Sequence, residues 1–275
     1  MDMTVIDGMV DFHVHSAPSL APRHSHDPHT LEEARAAGVA KFVLKAHEGS
    51  SAERAALLGD EVFGGVVLNS PVGGANPDAV AVAAALGARV VWLPTISAPA
   101  HIAASSSPEL SAHRGISFRE VPVVEDGAVR PEWLDVFDEA ARAGMVLASG
   151  HLTMDEAVVA LDTARRRGVD RLLVNHPGLN FLGWRDEHLE QFRALGAHLE
   201  IGVLADLLAG EAGPRTEDLV ASYPHELLVF GSDLGHRDYP PIAEGIRDWV
   251  ERLDPILGDR GLALVAGATA EAILA

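Results

Sequence analysis

The sequence predicts an α/β fold, a single-domain (β/α)8 TIM barrel, and three observations predict it. Short runs rich in Val, Leu and Phe alternate with longer Ala-rich amphipathic stretches, the rhythm of βα units on a parallel sheet. Eight such runs can be counted. The 275 residues of the chain match the roughly 250 that one such barrel takes.

The eight runs span 9–14, 40–44, 62–68, 88–93, 145–148, 171–174, 197–201 and 227–230. They are continuously apolar rather than alternating, as strands covered on both faces should be. Helical stretches fall between them. Thr30 is expected to cap a helix through Ala37, with Glu33 completing a capping box and Gly38 ending it. Further helices are expected over 50–58, 76–86 (with Pro77 in the first turn), 131–143, 153–167, 185–195, 216–223 and 241–253, with helical segments closing the chain up to Leu274. An open doubly wound sheet would offer a Gly-rich phosphate turn after an early strand, and Gly73-Gly74 alone does not make one. One connection is long. Residues 95–130 run through a Ser-, Ala- and Pro-rich stretch to Val121-Pro122-Val123-Val124 and a Glu125-Asp126-Gly127 turn, and are expected to form a loop with a small hairpin, placed as a lid.

Composition narrows the function classes. Hydrophobic residues make up 48% and charged residues 22%, ordinary for a folded domain with a large core. A formal net charge of −19 disfavours nucleic acid and anionic membranes as partners. The chain has no cysteine, which removes disulfides, thiolate metal sites and cysteine nucleophiles and leaves His, Asp, Glu and Lys as metal-capable side chains. No run of about 18 apolar residues and no basic-then-apolar leader is present, so a cytoplasmic location is the expectation, with a small-molecule substrate as the expected partner.

Chemistry concentrates at strand ends. In a parallel barrel these ends share one mouth, so residues far apart in sequence converge there. The first strand ends Asp11-Phe12-His13-Val14-His15. Residues two apart on a strand share a side, so His13 and His15 can grip one metal ion as neutral imidazoles. The fifth strand leads to His151, the sixth to Asn175-His176 and the eighth to Ser232-Asp233. Each alone reads as a hydrogen-bonding residue; together they read as a divalent-metal site, with Asp233 also placed to take a proton from an activated water. The second strand ends Leu44-Lys45-Ala46-His47. His47 is a candidate metal ligand. Lys45 can bridge two metals as a carbamate or stay cationic and hold a substrate carboxylate or phosphate. Arg23, Asn69, Trp92 and His236 are candidate substrate-binding residues, Arg23 as a bidentate anion clamp. Thr95, Asn180, Trp184 and Arg237 are weaker wall candidates, and His24, His26 and His29 are expected to be solvated.

These motifs, taken over nearly the whole chain, resemble the amidohydrolase superfamily: His13-x-His15 after strand one, His151 after strand five, His176 after strand six, Asp233 after strand eight, and a closing helix over 267–274. The segments Asp11 to Ser19 and Leu44-Lys45-Ala46-His47 are similar to a bacterial branch of small metal hydrolases. The resemblance implies a barrel holding one or two divalent ions, chiefly zinc with manganese or iron as substitutes, attack by activated water on an amide, ester, lactone or related bond, and a homo-oligomer as the assembly. It implies His13, His15, His47, His151, His176 and Asp233 as metal ligands and Asp233, His176 and Lys45 as catalytic groups. Two departures shape that expectation. Strands three and four end near Asn69 and Pro94, where many two-metal relatives carry a bridging lysine or glutamate. The His-Val-His-Ser, Lys-Ala-His and Ser-Asp-Leu-Gly-His motifs also resemble the polymerase-and-histidinol-phosphatase phosphoesterases, but Lys45-Ala46-His47 and Asn69 break that pattern. A decarboxylase of unsaturated or aromatic acids, with Lys45 or Arg23 holding the carboxylate, is a further alternative, as is a non-catalytic metal-binding or ligand-sensing barrel.

Overall fold

The computed structural model describes residues 8–208 and 213–275. Parallel strands alternate with helices along the chain. The strands are β1 (Met9–Val14), β2 (Val39–Leu44), β3 (Val62–Phe63), β4 (Gly65–Val67), β5 (Val90–Trp92), β6 (Val124–Glu125), β7 (Ala128–Val129), β8 (Val146–Ala148), β9 (Leu172–Val174), β10 (His198–Ile201) and β11 (Leu228–Phe230). The helices are α1 (Asp27–Ala36), α2 (Ala52–Leu58), α3 (Pro77–Ala85), α4 (Pro99–Ala103), α5 (Leu134–Arg142), α6 (Met154–Arg166), α7 (Glu187–Ala194), α8 (Val203–Leu208), α9 (Thr216–Ser222), α10 (Ile242–Ala263) and α11 (Thr269–Leu274).

The third expected strand is broken at Gly64 into β3 and β4. β3 pairs with β2, which pairs with β1; β4 opens a run of neighbours β4-β5-β8-β9-β10-β11. All these pairings are parallel. The chain then turns back beside β1: the amide of Asp233 donates to the His13 carbonyl (2.8 Å), the amide of His15 donates to the Leu234 carbonyl (2.9 Å), and Val14 bridges Leu234. Gly235 permits that approach. Its φ is +121°, and a Cβ there would lie 1.9 Å from the His15 carbonyl oxygen.

Side chains sort into two apolar clusters by strand parity. The larger holds the helix-facing set, including Phe42, Leu147, Leu172 and Phe230 with Phe137, Phe192 and Trp249 from the helices. The smaller holds the opposite set, Val10, Phe12, Val43, Val67, Trp92, Ala148, Leu173 and Val229, and meets Ala270, Ile273 and Leu274 of α11. Burial of each such large side chain contributes about 1.5–3 kcal/mol.

Helix ends follow local chemistry, with some corrections. Asn76 caps α3, accepting from the Ala79 amide at 3.1 Å, and Pro77 stands in its first turn. Thr153 and Glu156 form a capping box on α6. Thr30 does not cap α1. That helix begins at Asp27, with Pro28 in its first turn, so Thr30 is buried inside it and shares a 2.8 Å hydrogen bond with Ser25. Pro28's fixed φ suits a helix start, which moves the boundary upstream. α10 runs past the expected end at 253 to Ala263, with Gly258 (φ +60°) interrupting its helical geometry. Residues 95–130 contain the expected hairpin, β6 and β7 joined through Asp126-Gly127, but also the unforeseen α4 and a 3-10 turn at Pro108–His113. Among the described residues no helix is long and apolar enough to cross a membrane.

Candidate metal centre

The site begins with a frame change in β1. Val10 and Phe12 face the smaller cluster and Val14 joins the helix-facing one. Strict alternation would send His13 to the helix side. A register shift between Asp11 and Val14 resets the parity, as a bulge does. Asp11 supports it, one carboxylate oxygen accepting from the amides of His13 (3.1 Å) and Ser232 (2.8 Å). Burial pushes the Asp11 carboxyl up to about 6, against hydrogen bonds from Ser232 and His13 that pull it down.

Two other ligand candidates are aimed by irregular backbone. His176 (φ +53°) and Asp233 (φ +54°) sit in the left-handed region, which costs a non-glycine residue roughly 1–3 kcal/mol and persists only where the surroundings over-determine it. The sole other non-glycine case among the described residues is Asp126, in the hairpin turn. His151 follows Gly150, whose φ is +61° and whose Cβ position lies 2.3 Å from the Leu93 carbonyl oxygen.

These devices bring the strand ends together. His13 Nε2 lies 3.2 Å from His15 Nε2, and Asp233 Oδ1 lies 3.1 Å from each. His176 Nε2 is 3.6 Å from Asp233 Oδ2. His13, His176 and Asp233 each offer a ligand atom within 4.8 Å of the others. Each first-strand imidazole is fixed from behind: His13 Nδ1 donates to Glu200 Oε1 at 3.0 Å and His15 Nδ1 to the Lys45 carbonyl at 2.9 Å. Glu200 also lies 3.3 Å from His176 Nδ1 and accepts from Asn175 Nδ2 at 2.9 Å. Such carboxylate and carbonyl partners are what orient metal-binding imidazoles.

Further imidazoles surround this group. His47 stacks on His15 (ring centroids 4.8 Å apart), His151 lies 5.4 Å from His176, and His47 and His151 are 6.1 Å apart. His101 and His113, from the long connection, add a second tier. His101 stacks on His151 at 4.9 Å, their Nδ1 atoms 2.7 Å apart, and His113 meets the His47 ring edge-on at 4.6 Å. Burial lowers His15, His47, His113 and His151 well below the usual imidazole range, and His101 and His176 to about 4. At neutral pH these rings are neutral, the ligating form.

Asp233 is held well below the usual carboxylate range: burial opposes ionisation, but His13, His15 and His176 outweigh it. Glu200 is lowered in the same way, with burial opposed chiefly by His13. Lys45 is 1% exposed and its Nζ has no hydrogen-bond partner. It stands 5.4 Å from the Trp92 ring centroid. Burial lowers it to about 8, with Asp233 and Glu200 pulling the other way.

The remaining candidates divide. Arg23, His236, His113 and Leu110 line an opening that Asp233 and His176 also border. Asn69 does not face it. Its amide nitrogen donates to the His47 carbonyl and Thr95 Oγ1, and its oxygen accepts from the amides of Thr95 and Ser97, so all its capacity holds the loops in place. Thr95 in turn contacts His47 Nδ1 at 2.8 Å. Trp92 is a floor rather than a wall: fully buried, it lies under Lys45 and against Gly65, where a Cβ would come 2.2 Å from its ring. Of the weaker wall candidates, Trp184 meets His188 edge-on and Arg237 donates to the Arg23 carbonyl. His24, His26 and His29 are exposed. Sequence reasoning missed Asp11, Glu200, His101 and His113. An acid inside the apolar run His198-Leu199-Glu200-Ile201 was a usable signal; the two histidines of the long connection follow no period.

The fold is shared with solved structures of low sequence identity. A protein of Pseudomonas putida provisionally described as a 2-pyrone-4,6-dicarboxylic acid hydrolase aligns over 97% of both chains at 16% identity and a TM-score of 0.64. An amidohydrolase from Pseudomonas aeruginosa aligns over 98% of this chain and 95% of its own, at 10% identity and a TM-score of 0.65. A 2,6-dihydroxybenzoate decarboxylase, solved with 2,6-dihydroxybenzoate, aligns over 98% and 99% at 12% identity and a TM-score of 0.57. The chain thus has the fold of amidohydrolase-superfamily proteins. No curated protein matches the sequence. Residues 8–200, well over half of the chain and including the first-strand histidines, His151, His176 and Glu200, match one family throughout, and the protein belongs to it: DUF6282, a family of unknown function.

Proposed function

We propose that the protein is a metal-dependent hydrolase acting on an amide, ester or lactone bond of a small acid. One observation carries this reading. With the Nδ1 protons of His13 and His15 committed to Glu200 and to the Lys45 carbonyl, their Nε2 atoms face each other at 3.2 Å, with an ionised Asp233 oxygen 3.1 Å from both. Three donor atoms so close call for a cation among them. The donor set of imidazoles and a carboxylate suits zinc best, with manganese or ferrous iron as substitutes. We assign His13, His15, His176 and Asp233 as ligands of one ion, and keep His47 and His151 for a second. When bound, the metal would supply Lewis-acid activation of water and of the scissile carbonyl.

The protein's own groups complete the chemistry. Asp233, ionised at neutral pH, accepts the proton of the attacking water and returns it to the leaving group. Neutral His176 polarises the substrate carbonyl if it does not ligate. Lys45 has no partner of its own, and Arg23 is bonded through Nε to Ser19, leaving its terminal nitrogens for the substrate carboxylate. The same reading takes the eight strand positions as one closed (β/α)8 barrel, supported by the backbone bonds from Asp233 and His15 across to His13 and Leu234. It takes residues 95–130 as a lid, supported by His101 and His113 lying against the inner histidines.

A second reading, a decarboxylase, is favoured by the unpartnered Lys45 and by the shared fold with the dihydroxybenzoate enzyme. Elemental analysis and a panel of esters, lactones, amides and aromatic acids separate the two. The expectation is about one or two equivalents of divalent metal, turnover of an ester or amide that chelation abolishes, and loss of both metal and turnover in His13→Ala/His15→Ala. Carbon dioxide release from an aromatic acid would select the decarboxylase; a metal-free, active protein would sink both.

A further inference from the structure

We propose that the long connection builds a second subsite next to the histidine centre, for the apolar acyl arm of an N-acyl amino acid; this rests on the hydrolase reading above. A cavity of ≈ 280 Å³ lies against the segment 96–118, and Ile96, Ile102, Leu110, Ile116 and Phe118 supply its apolar wall. Among the described side chains no Lys, Arg, Asp or Glu lines it; its polar members are serines and the histidines His101 and His113. A charged ligand would lose its hydration there with nothing to replace it, whereas a hydrocarbon loses nothing.

The cavity adjoins the reacting centre. Leu110 and His113 line both it and the opening that holds Asp233, His176 and Arg23. A ligand reaching past that wall puts a carboxylate at Arg23, its carbonyl beside Asp233, and an apolar chain beyond Leu110. That order of groups is the order in an N-acyl amino acid. Hydrolysis then balances simply: water oxygen bonds the acyl carbon, the carbon–nitrogen bond breaks, and the proton held by Asp233 goes to the departing amine. The segment's apolar residues also gain an explanation. Ile116 and Phe118 stay half-buried on a connection otherwise rich in Ser and Ala, where a plain linker would carry polar side chains.

Calorimetry on the zinc-loaded full chain, with acetylglycine and hexanoylglycine as probes, tests this without requiring turnover. Each buried methylene strengthens binding about fourfold at most, so hexanoylglycine is expected to bind roughly tenfold tighter or better. Ile102→Trp, which fills the cavity, is expected to bring that ratio close to one, and Ile116→Trp repeats the test should the first variant fold poorly. Equal affinities in the wild type, no binding of either probe, or an unchanged ratio in both variants overturns the subsite. Chain-length-dependent binding without hydrolysis would defeat only the hydrolase reading; metal-dependent hydrolysis with a flat chain-length profile would defeat only the subsite.

Discussion

At the scale of single residues, the centre is governed by what stands behind the ligands. Glu200 is a buried acid whose two oxygens serve His13, His176 and Asn175. Glu200→Gln keeps the shape but replaces an anion by an amide that cannot accept equally from two imidazoles. Metal affinity is expected to fall by about 10- to 100-fold, measured by competition with a chromogenic chelator; unchanged affinity would mean that Glu200 serves packing alone. Lys45 tests the opposite balance. A buried ammonium without a partner is a liability to folding, so Lys45→Met should raise stability by about 2 kcal/mol in urea melts while weakening carboxylate ligands at least tenfold. A loss of stability would mean that the charge is compensated in the fold. The clustered strand-end histidines and Asp233 were legible in sequence because each ends an apolar run. Glu200 carried a weaker signal, and Lys45's isolation carried none, since a missing partner is a property of space.

At the scale of elements, regular periodicity places the strands and irregular backbone places the chemistry. Alternation assigns Val43 and Lys45 to one side of β2 correctly, and it assigns Glu200 to the same side as Val229 and Leu173 on the neighbouring strands. It fails at His13, His151 and His176, where a register shift, a positive-φ glycine and a positive-φ histidine each reset the side a residue faces. Close packing is equally local. Gly65 accepts the Trp92 ring against its backbone, at a distance no Cβ tolerates. Gly65→Ala must displace the floor under Lys45, and a loss of about 2–4 kcal/mol is expected from such overpacking in a filled core. A thermal melt within a degree of wild type would show that Trp92 can move freely.

At the scale of the whole molecule, half of the 14 histidines (His13, His15, His47, His101, His113, His151 and His176) are gathered at one place in the fold. This has a consequence for metal-free protein. Burial lowers His101 and His176 to about 4. Between pH 6.5 and 4 the unfolded chain binds these protons and the native one does not, so the stability they allow is present above pH 6.5 and is lost as pH falls, by about 3 kcal/mol per group at most. Asp11, raised to about 6, acts in the other direction: the native state holds its proton between about 4 and 6, so stability from this group grows as pH falls. Two or more imidazoles outweigh one carboxyl. The urea midpoint of chelated protein is expected to fall steadily from pH 7 to pH 5, and a midpoint that rises over that range would contradict the neutral cluster.

The sequence by itself determined the strand and helix rhythm and the imidazole and carboxylate chemistry at the strand ends, because hydrophobic period and residue chemistry are local properties written along the chain. It also marked residues 95–130 as exceptional by length alone. Tertiary structure decided which side each strand-end group faces, that Asn69 braces loops while Trp92 underlies Lys45, and that His101 and His113 join the centre. These depend on backbone breaks at single residues and on contacts across 50 or more positions, such as His101 with His151. No window of sequence holds both partners of such a contact, and packing alone brings them within reach.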